Sequence, residues 1–352
     1  MRGDTIANMM KALYHISDIA VLSIFGHFWL NYDSIEMTEV TVNFDPTFDG
    51  RIKLPLIVAP MFLVSNPSLT LAAASQGVIG SFPAHATRTR EIFKDWLDDM
   101  QAGLAELDNP PPYAVNLVVH PTNERMPGDL ELCERYKVPI VLTSKGAPKD
   151  TFSRIHDWGG LAFHDVSSAR HSEKAVEAGA DALIAVCGGA GGHCGTINPF
   201  ALVNEIREVT DKPIILAGGM STGQDILAAQ AMGATYVYMG TRFIACNESM
   251  ADTRYAQTLI ECTSKDIFFS AALDGAPANW VTPSLIEAGV DLEELATTIP
   301  GEVMPSGKVA ERYSKVLSAG HGVGMVKRIE SAVDLCAHLK SEYDTAKTAM
   351  LA

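Results

Sequence analysis

The sequence predicts an α/β fold, a TIM (β/α)8 barrel with a mainly helical insertion before the last barrel helix. Eight short apolar runs alternate with helical patterns between residues 54 and 239, and the connections between them are short. Eight parallel strands are the number that closes this barrel. Glycine pairs follow the last two runs, whereas an open doubly wound sheet usually carries its phosphate-binding glycines after the first strand.

The apolar runs are predicted to be the barrel strands. The sixth run, Ala182–Val186, has no polar alternation, which is expected of a strand covered on both faces. In chain order, the eight runs are Leu54–Met61, Val78–Ala84, Tyr113–His120, Val138–Ser144, Leu161–Val166, Ala182–Cys187, Pro213–Ala217 and Thr235–Met239.

The segments between these runs are predicted to be the covering helices. Gly77 and Gly179 stand where the first and fifth helices should stop, because glycine accepts the left-handed conformation that ends many helices. The predicted helices are Leu69–Ser75, Arg88 to about Leu104, Asp129–Tyr136, Lys149–His156, Ser168–Glu177, Pro199–Val209 and Gly223–Met232.

The βα rhythm stops after Phe243. Residues 246–318 have a mainly helical pattern broken by prolines and are too long for a loop, so they predict a lid or substrate subdomain. Residues 331–349 then read as an amphipathic helix that closes the barrel. The predicted organisation is an appended segment over 1–40, a barrel over 41–245 and 319–352, and a helical subdomain over 246–318.

Composition narrows the function classes. The 352-residue chain has a formal net charge of −15 and no basic run, which argues against nucleic acid or an anionic membrane as a partner. The apolar stretch Ile19–Leu30 is shorter than the ~20 residues that span a bilayer. Six scattered cysteines without a CxxC pair indicate reduced thiols and a cytoplasmic protein. No metal site is predicted, and a homodimer stays open.

The segment Ala180–Gly195 is the strongest functional signal. A buried strand breaks there into four glycines around one imidazole, His193. Glycine lets the backbone approach a ligand closely, and barrel enzymes hold their chemistry at the carboxyl ends of strands. Cys187 and Cys194 flank this loop, so a redox role stands beside the simpler interpretation of packing.

Two glycine motifs indicate a phosphate site. Gly218-Gly219 ends the seventh run and Gly240-Thr241 ends the eighth, where this barrel commonly binds phosphate through backbone N–H groups. A third cluster, Gly320–Gly324, either closes over the same phosphate or ends the lid. Asn116 is a lone amide in an apolar run, and either a backbone group or a polar ligand must satisfy it.

Together these motifs resemble the nitronate monooxygenase family, formerly the 2-nitropropane dioxygenases, over about residues 52–330. The resemblance implies a TIM barrel that binds FMN non-covalently and oxidises alkyl nitronates with O2. The motifs that carry it are APM at Ala59–Met61, VNL at Val115–Leu117, AGGHxG at Ala190–Gly195, AGG at Ala217–Gly219, MGTRF at Met239–Phe243 and GVG at Gly322–Gly324.

The resemblance also implies roles for individual residues. His193 would be the catalytic base or would orient the substrate, which suits an imidazole because histidine in general ionises near neutral pH. The implied cofactor-binding residues are Ala59, Pro60 and Met61 along the flavin ring, Asn116 on the ring or ribityl chain, Gly191 and Gly192 against the flavin, and Ala217, Gly218, Gly219, Gly240 and Thr241 around the phosphate.

The chain departs from the family pattern at several positions. Val186 and Gly189 stand where polar and acidic residues are common, His321 replaces a glutamine, and Asn279 replaces an arginine. At the end of the fifth run His164-Asp165 stands where some members have a basic residue. Two alternatives therefore stay open: an NAD(P)H-dependent FMN reductase acting on quinones or enoyl thioesters, and a flavin-binding barrel without catalysis.

Overall fold

The structure, a computed structural model, describes residues 48, 50–146, 149–273, 275–297 and 316–351. Short parallel strands make up its barrel, and short antiparallel strands lie outside it. The strands are β1 (Leu56–Val58), β2 (Ser81–Pro83), β3 (Ala114–Val118), β4 (Ile140–Ser144), β5 (Leu161–Val166), β6 (Ala182–Val186), β7 (Gly192–His193), β8 (Ile214–Ala217), β9 (Tyr236–Met239), β10 (Ile267–Ser270) and β11 (Ala278–Val281).

Several helices begin after a residue whose side chain caps the first turn. Asn66, Ser168 and Thr222 each accept a backbone N–H from the first turn that follows, which satisfies a donor that the helix itself leaves unpaired. The helices are α1 (Pro67–Ser75), α2 (Arg90–Ala105), α3 (Met126–Arg135), α4 (Lys149–Asp157), α5 (Ala169–Ala178), α6 (Pro199–Arg207), α7 (Gly223–Ala231), α8 (Thr241–Ile244), α9 (Thr253–Glu261), α10 (Thr282–Glu287), α11 (Leu292–Thr297) and α12 (Ala332–Leu351).

The barrel closes on itself. In the part of the chain that the structure describes, eight parallel strands follow the order β1-β9-β8-β6-β5-β4-β3-β2. A parallel bridge between Ile57 and Ile79 joins the two ends of this order, and the N–H of Val58 donates to the Ile79 carbonyl at 2.8 Å. The predicted (β/α)8 barrel is confirmed, and the open doubly wound sheet is excluded.

Two apolar layers hold the barrel. Because side chains alternate along a strand, every second residue points into the lumen, and Ile57, Phe163 and Ile215 fill it completely buried. Their strand neighbours, such as Val58 and Leu216, point outward and pack against the helices in the larger core.

The last helix completes the outer ring. The hydroxyl of Tyr343 in α12 donates to Gln230 in α7 at 2.7 Å, and the N–H of Gly223 donates to Glu342 at 2.8 Å. Helix α12 also packs against α1, so it lies between the helices that follow the seventh and first barrel strands. This is the position that the sequence predicted for residues 331–349.

The insertion contains a feature that the sequence pattern did not predict. Helices α9, α10 and α11 agree with the mainly helical prediction, but β10 and β11 form an antiparallel hairpin between them. Strand β11 also pairs with β7, so a three-stranded sheet joins the insertion to the barrel. The predicted domain boundaries themselves stay predictions.

The predicted appended segment over residues 1–40 lies outside the described residues. Among the helices that the structure does describe, none is both long enough and apolar enough to cross a bilayer.

Candidate active site

The barrel lumen is filled at one level and open at the next. Ile57 and Phe163 point inward and are completely buried. Two residues further along the same strands, Ala59 and Asp165 point inward but keep part of their surface exposed, as does Tyr238 on β9. The open level lies at the carboxyl ends of the strands, where barrels of this type carry their active sites. We refer to this region as the mouth.

His193 stands on a short strand at the mouth. The glycine loop leaves β6, and its residues Gly192 and His193 form β7, which runs antiparallel to β11 of the insertion. The sequence pattern predicted a loop here, and the pairing of His193 with Ala278 could not be seen from it. His193 is an exposed residue, on the loop that follows the carboxyl end of β6.

Ser318 fixes the backbone beneath this histidine. Its hydroxyl accepts a hydrogen bond from the N–H of Gly192 at 2.7 Å and donates to the Asn279 carbonyl at 2.8 Å. Gly192 has a φ of 67°, which favours glycine because a side chain is strained there. The position of His193 therefore depends on the insertion and on the late chain segment as well as on β6.

The predicted phosphate glycines lie at the ends of β8 and β9. Gly218 and Gly219 have φ values of 137° and 76°. A Cβ built on Gly219 would meet nothing within 4 Å, so the bare backbone borders open space. A Cβ on Gly240 would lie 3.2 Å from the Met61 sulfur. Backbone N–H groups bordering such a space suit an anion.

The late glycine cluster, Gly320–Gly324, packs against two loops at the mouth. One is the histidine loop that follows β6, and the other is the loop that follows β8. A Cβ on Gly320 would lie 2.5 Å from the Gly189 carbonyl oxygen, and one on Gly322 would lie 2.9 Å from that of Gly219. The N–H of Gly320 donates to the Thr241 hydroxyl at 2.9 Å. The cluster thus joins the histidine loop to the phosphate glycines, and the Thr241 hydroxyl is engaged in that junction.

Asn116 and the turn after β1 border the lumen from other strands. The Asn116 amide donates to the Leu142 carbonyl at 3.2 Å, and its oxygen accepts no hydrogen bond from any described residue. The N–H of Met61 donates to the Ser65 hydroxyl at 2.9 Å, which fixes the turn Ala59–Met61 beside Gly240. Asn116 is therefore held by a backbone carbonyl and retains free hydrogen-bonding capacity.

Asn279 lies under the glycine loop. It is 1% exposed, and its amide donates to the Ala190 carbonyl at 2.7 Å. Its Oδ1 is buried and meets no donor among the described residues. The residue thus supports the loop from below, at the position where the resembling proteins often have arginine.

The structure separates the two polar neighbours on β5. His164 points outward, contacts the Thr143 hydroxyl at 2.7 Å and packs against Phe152. Burial lowers its pKa to about 4, so it is a neutral structural histidine and lies outside the mouth. His321 lies against Gly189, to which its backbone N–H donates at 2.9 Å.

Two polar side chains at the mouth were not among the predicted site residues. His85 follows β2, stacks on Phe62 at 5.3 Å, and has a pKa lowered to about 4 by burial and by the nearby cations Arg125 and Lys145. Asp165 has a pKa raised to about 7 by burial. A lone acid inside the apolar run of β5 was the available signal, but the sequence did not show which way it points.

The cysteines that flank the glycine loop are unsuited to nucleophilic work. Burial raises the pKa of Cys187 to about 12 and that of Cys194 to about 11, so both remain protonated thiols near neutral pH. Both are free of disulfides. Packing is the role that the structure supports for them.

Comparisons with known proteins agree with this geometry. A family model described as nitronate monooxygenase matches residues 124–342, more than half of the chain. A 5-hydroxy-7a-methyl-1-oxo-octahydro-1H-indene-4-carboxyl-CoA dehydrogenase from Rhodococcus jostii is 25% identical over 67% of this chain and 65% of its own length. The chain thus spans just under two thirds of that relative.

Two further proteins extend the comparison. A nitronate monooxygenase from Paraburkholderia phytofirmans is 26% identical over 68% of this chain and 76% of its own length. The solved structure of a nitroalkane oxidase from Streptomyces ansochromogenes superposes with a TM-score of 0.72 and 22% identity, covering 86% of this chain and 99% of that one. At that identity the structural match supports the fold alone.

Proposed function

The chain belongs to the nitronate monooxygenase family, and from that membership we propose that it is an FMN-dependent oxidoreductase that oxidises alkyl nitronates with O2. The observation that carries this proposal is the exposed His193 at the barrel mouth, on a glycine loop that packs against the late glycine cluster. An exposed imidazole at the barrel mouth suits an enzyme that takes a proton from an acidic carbon compound or orients its anion.

The residues at the mouth fit a flavin mononucleotide. Open space beside Gly219 and the backbone groups of Gly218 and Gly240 suit its phosphate. The turn Ala59–Met61 and the remaining hydrogen-bonding capacity of Asn116 suit its ring system and ribityl chain. When bound, the flavin supplies the electron transfer from nitronate to O2, which no amino-acid side chain here provides.

The chain's own residues bind, orient and move a proton. A ring nitrogen of His193 takes the α-proton of a neutral nitroalkane or holds the oxygens of a nitronate that is already anionic. Pairing of β7 with β11 and the Ser318 hydrogen bonds hold the backbone that carries this imidazole. Positioning of this kind matters because a misplaced general base loses much of its rate advantage.

Oxygen consumption tests the proposal. Protein purified with FMN is mixed with propionate 3-nitronate or ethyl nitronate, and O2 uptake should rise well above that of free FMN. His193→Ala should lower turnover about 10²- to 10⁴-fold with little change in FMN affinity. His156→Ala is the matched control, because that exposed histidine pairs with Asp181 at the opposite end of the barrel. No uptake by the flavin-loaded protein would refute the nitronate proposal.

A second candidate is NAD(P)H-dependent reduction of a quinone or an enoyl thioester by bound FMN. It is favoured by an apolar rim at the mouth, where Phe62 and Leu63 are 56% and 57% exposed. The Rhodococcus relative, named as a carboxyl-CoA dehydrogenase, also favours it. Bleaching of bound flavin by NADH under argon would support this reaction, whereas nitronate-dependent O2 uptake without NADH supports the first.

Partners and location follow from the same proposal. A small organic substrate and O2 are the proposed reactants. The six free thiols suit a cytoplasmic location, and the question of a homodimer is answered by light scattering of the flavin-loaded protein.

A further inference from the structure

Asp165 is an acid in a place that acids rarely occupy. It lies on β5 in register with Ile184 of β6, and both point into the lumen. The residue as a whole is half-buried, yet its Oδ1 is fully buried and has no hydrogen-bond partner among the described residues. A buried oxygen without a partner is costly, so a ligand at the mouth that turns this carboxyl towards itself and supplies the partner removes that cost.

The surroundings of Asp165 favour its neutral form. Phe163 lies below it on the same strand, and Ile184 and Val186 are the inward residues of the adjacent β6. The phenol of Tyr238 on β9 interacts electrostatically with Asp165. Its pKa is raised well above the ordinary value, mainly by burial and further by the charge of Asp165. No ion pair is formed by Asp165 with any residue in the described part of the chain.

The neutral carboxyl offers a hydrogen-bond donor and an acceptor that can pair with the pyrimidine edge of a flavin. That edge carries an N–H donor flanked by two carbonyl acceptors. A protonated carboxyl offers one O–H donor and one carbonyl acceptor side by side, whereas a carboxylate offers acceptors only. An ionised carboxyl would therefore face a flavin carbonyl with like polarity, and a neutral one would pair with the edge through two hydrogen bonds.

We propose that Asp165, in its protonated form, is the hydrogen-bond partner of the flavin's pyrimidine edge and makes cofactor affinity dependent on pH. The proposal rests on the proposed function insofar as that function requires FMN. In this proposal FMN binds only to protein in which Asp165 is protonated, and the carboxyl keeps that proton in the complex.

The size of the pH effect on FMN affinity follows from the pKa of Asp165 in the protein without flavin. Burial raises the pKa of Asp165 to about 7. The binding-competent fraction then falls from about nine tenths at pH 6 to about one tenth at pH 8, and the apparent Kd rises in inverse proportion to that fraction. Wild-type protein should therefore bind FMN about tenfold more weakly at pH 8 than at pH 6, beyond any change due to the phosphate.

The variant Asp165→Asn tests this directly. Its amide keeps one donor and one acceptor in nearly the same shape but cannot ionise. FMN titrations from pH 5.5 to 8.5, followed by flavin fluorescence, should show the wild-type loss of affinity and a flatter curve for D165N. The FMN phosphate titrates in both proteins, so the difference between the two curves isolates Asp165. Asp211→Asn, an exposed acid at the other end of the barrel, should follow the wild-type curve.

Each outcome decides the matter. If wild type and D165N bind FMN with parallel pH curves, the inference is overturned while the cofactor proposal stands. If neither binds FMN although circular dichroism shows both folded, the cofactor proposal fails and the inference fails with it. A pH-dependent shift of the visible band of bound flavin in wild type, absent in D165N, is a second supporting readout that does not depend on turnover.

Discussion

Gly320→Ala is expected to separate the late glycine cluster from the histidine loop. Gly320 has a φ of −88°, which alanine also adopts, so the substitution adds no backbone strain. Its added Cβ would lie 2.5 Å from the Gly189 carbonyl oxygen and 2.9 Å from the Gly191 nitrogen. Both are backbone atoms, so the loop itself must move by about 0.9 Å to restore an ordinary 3.4 Å contact.

The energetic cost can be stated from this geometry. Overpacking of a tight contact typically costs about 1–3 kcal/mol, which corresponds to about a 5- to 150-fold loss in an equilibrium that needs the docked loop. Urea unfolding should report the loss in the free energy of unfolding. FMN titration should report a weaker cofactor affinity, because the same cluster packs against Gly219 and Thr241.

Gly324→Ala is the matched control. It lies in the same cluster, has no positive φ, and its added Cβ would meet only the Thr263 Cα at 3.7 Å, an ordinary contact. G324A should retain wild-type stability and FMN affinity. If G320A were as stable as G324A and bound FMN equally well, the docked arrangement of Gly320 on the histidine loop would be wrong.

Two further predictions concern stability and pH. Asp165 has a pKa of about 7 in the folded protein against an ordinary 3.8. Protonation of Asp165 therefore stabilises the folded state at low pH, and this contribution is lost as pH rises through 7. The free energy of unfolding of the wild type, measured with urea, should fall by up to about 4 kcal/mol between pH 4 and pH 8, and that of D165N should fall by less. Equal losses in the two proteins would contradict the buried position of Asp165. His164 has a folded pKa of about 4 against an ordinary 6.5, so stability is lost as pH falls from 6.5 through 4. His164→Gln should reduce this acid-side loss in the same assay, and an unchanged loss would contradict a neutral buried imidazole.

The fold was predictable because its signal is local and repeated. Each barrel strand is covered on both faces, so it reads as an apolar run, and eight such runs in series leave few arrangements. Strand ends were less predictable. The run Leu54–Met61 contains only the strand Leu56–Val58, because its last three residues form the turn that borders the mouth.

The hairpin of the insertion was missed for a physical reason. Strand β10 is short and mostly not fully buried, and β11 is stabilised by pairing with β7, which lies more than eighty residues earlier. Strand preference in such segments arises from their partners, so it leaves little mark on local periodicity. The same pairing determines where His193 stands, which is why the histidine was predicted and its support was not.

The sequence by itself determined the barrel, the glycine motifs and the presence of one imidazole among them, because these depend on residue types and spacing along the chain. Only the tertiary structure decided which polar residues enter the mouth. His164 and Asp165 are adjacent, and a strand sends neighbours to opposite faces. The closed sheet turns His164 towards the helices and Asp165 into the lumen, because register between strands, and not composition, determines which face becomes the inside.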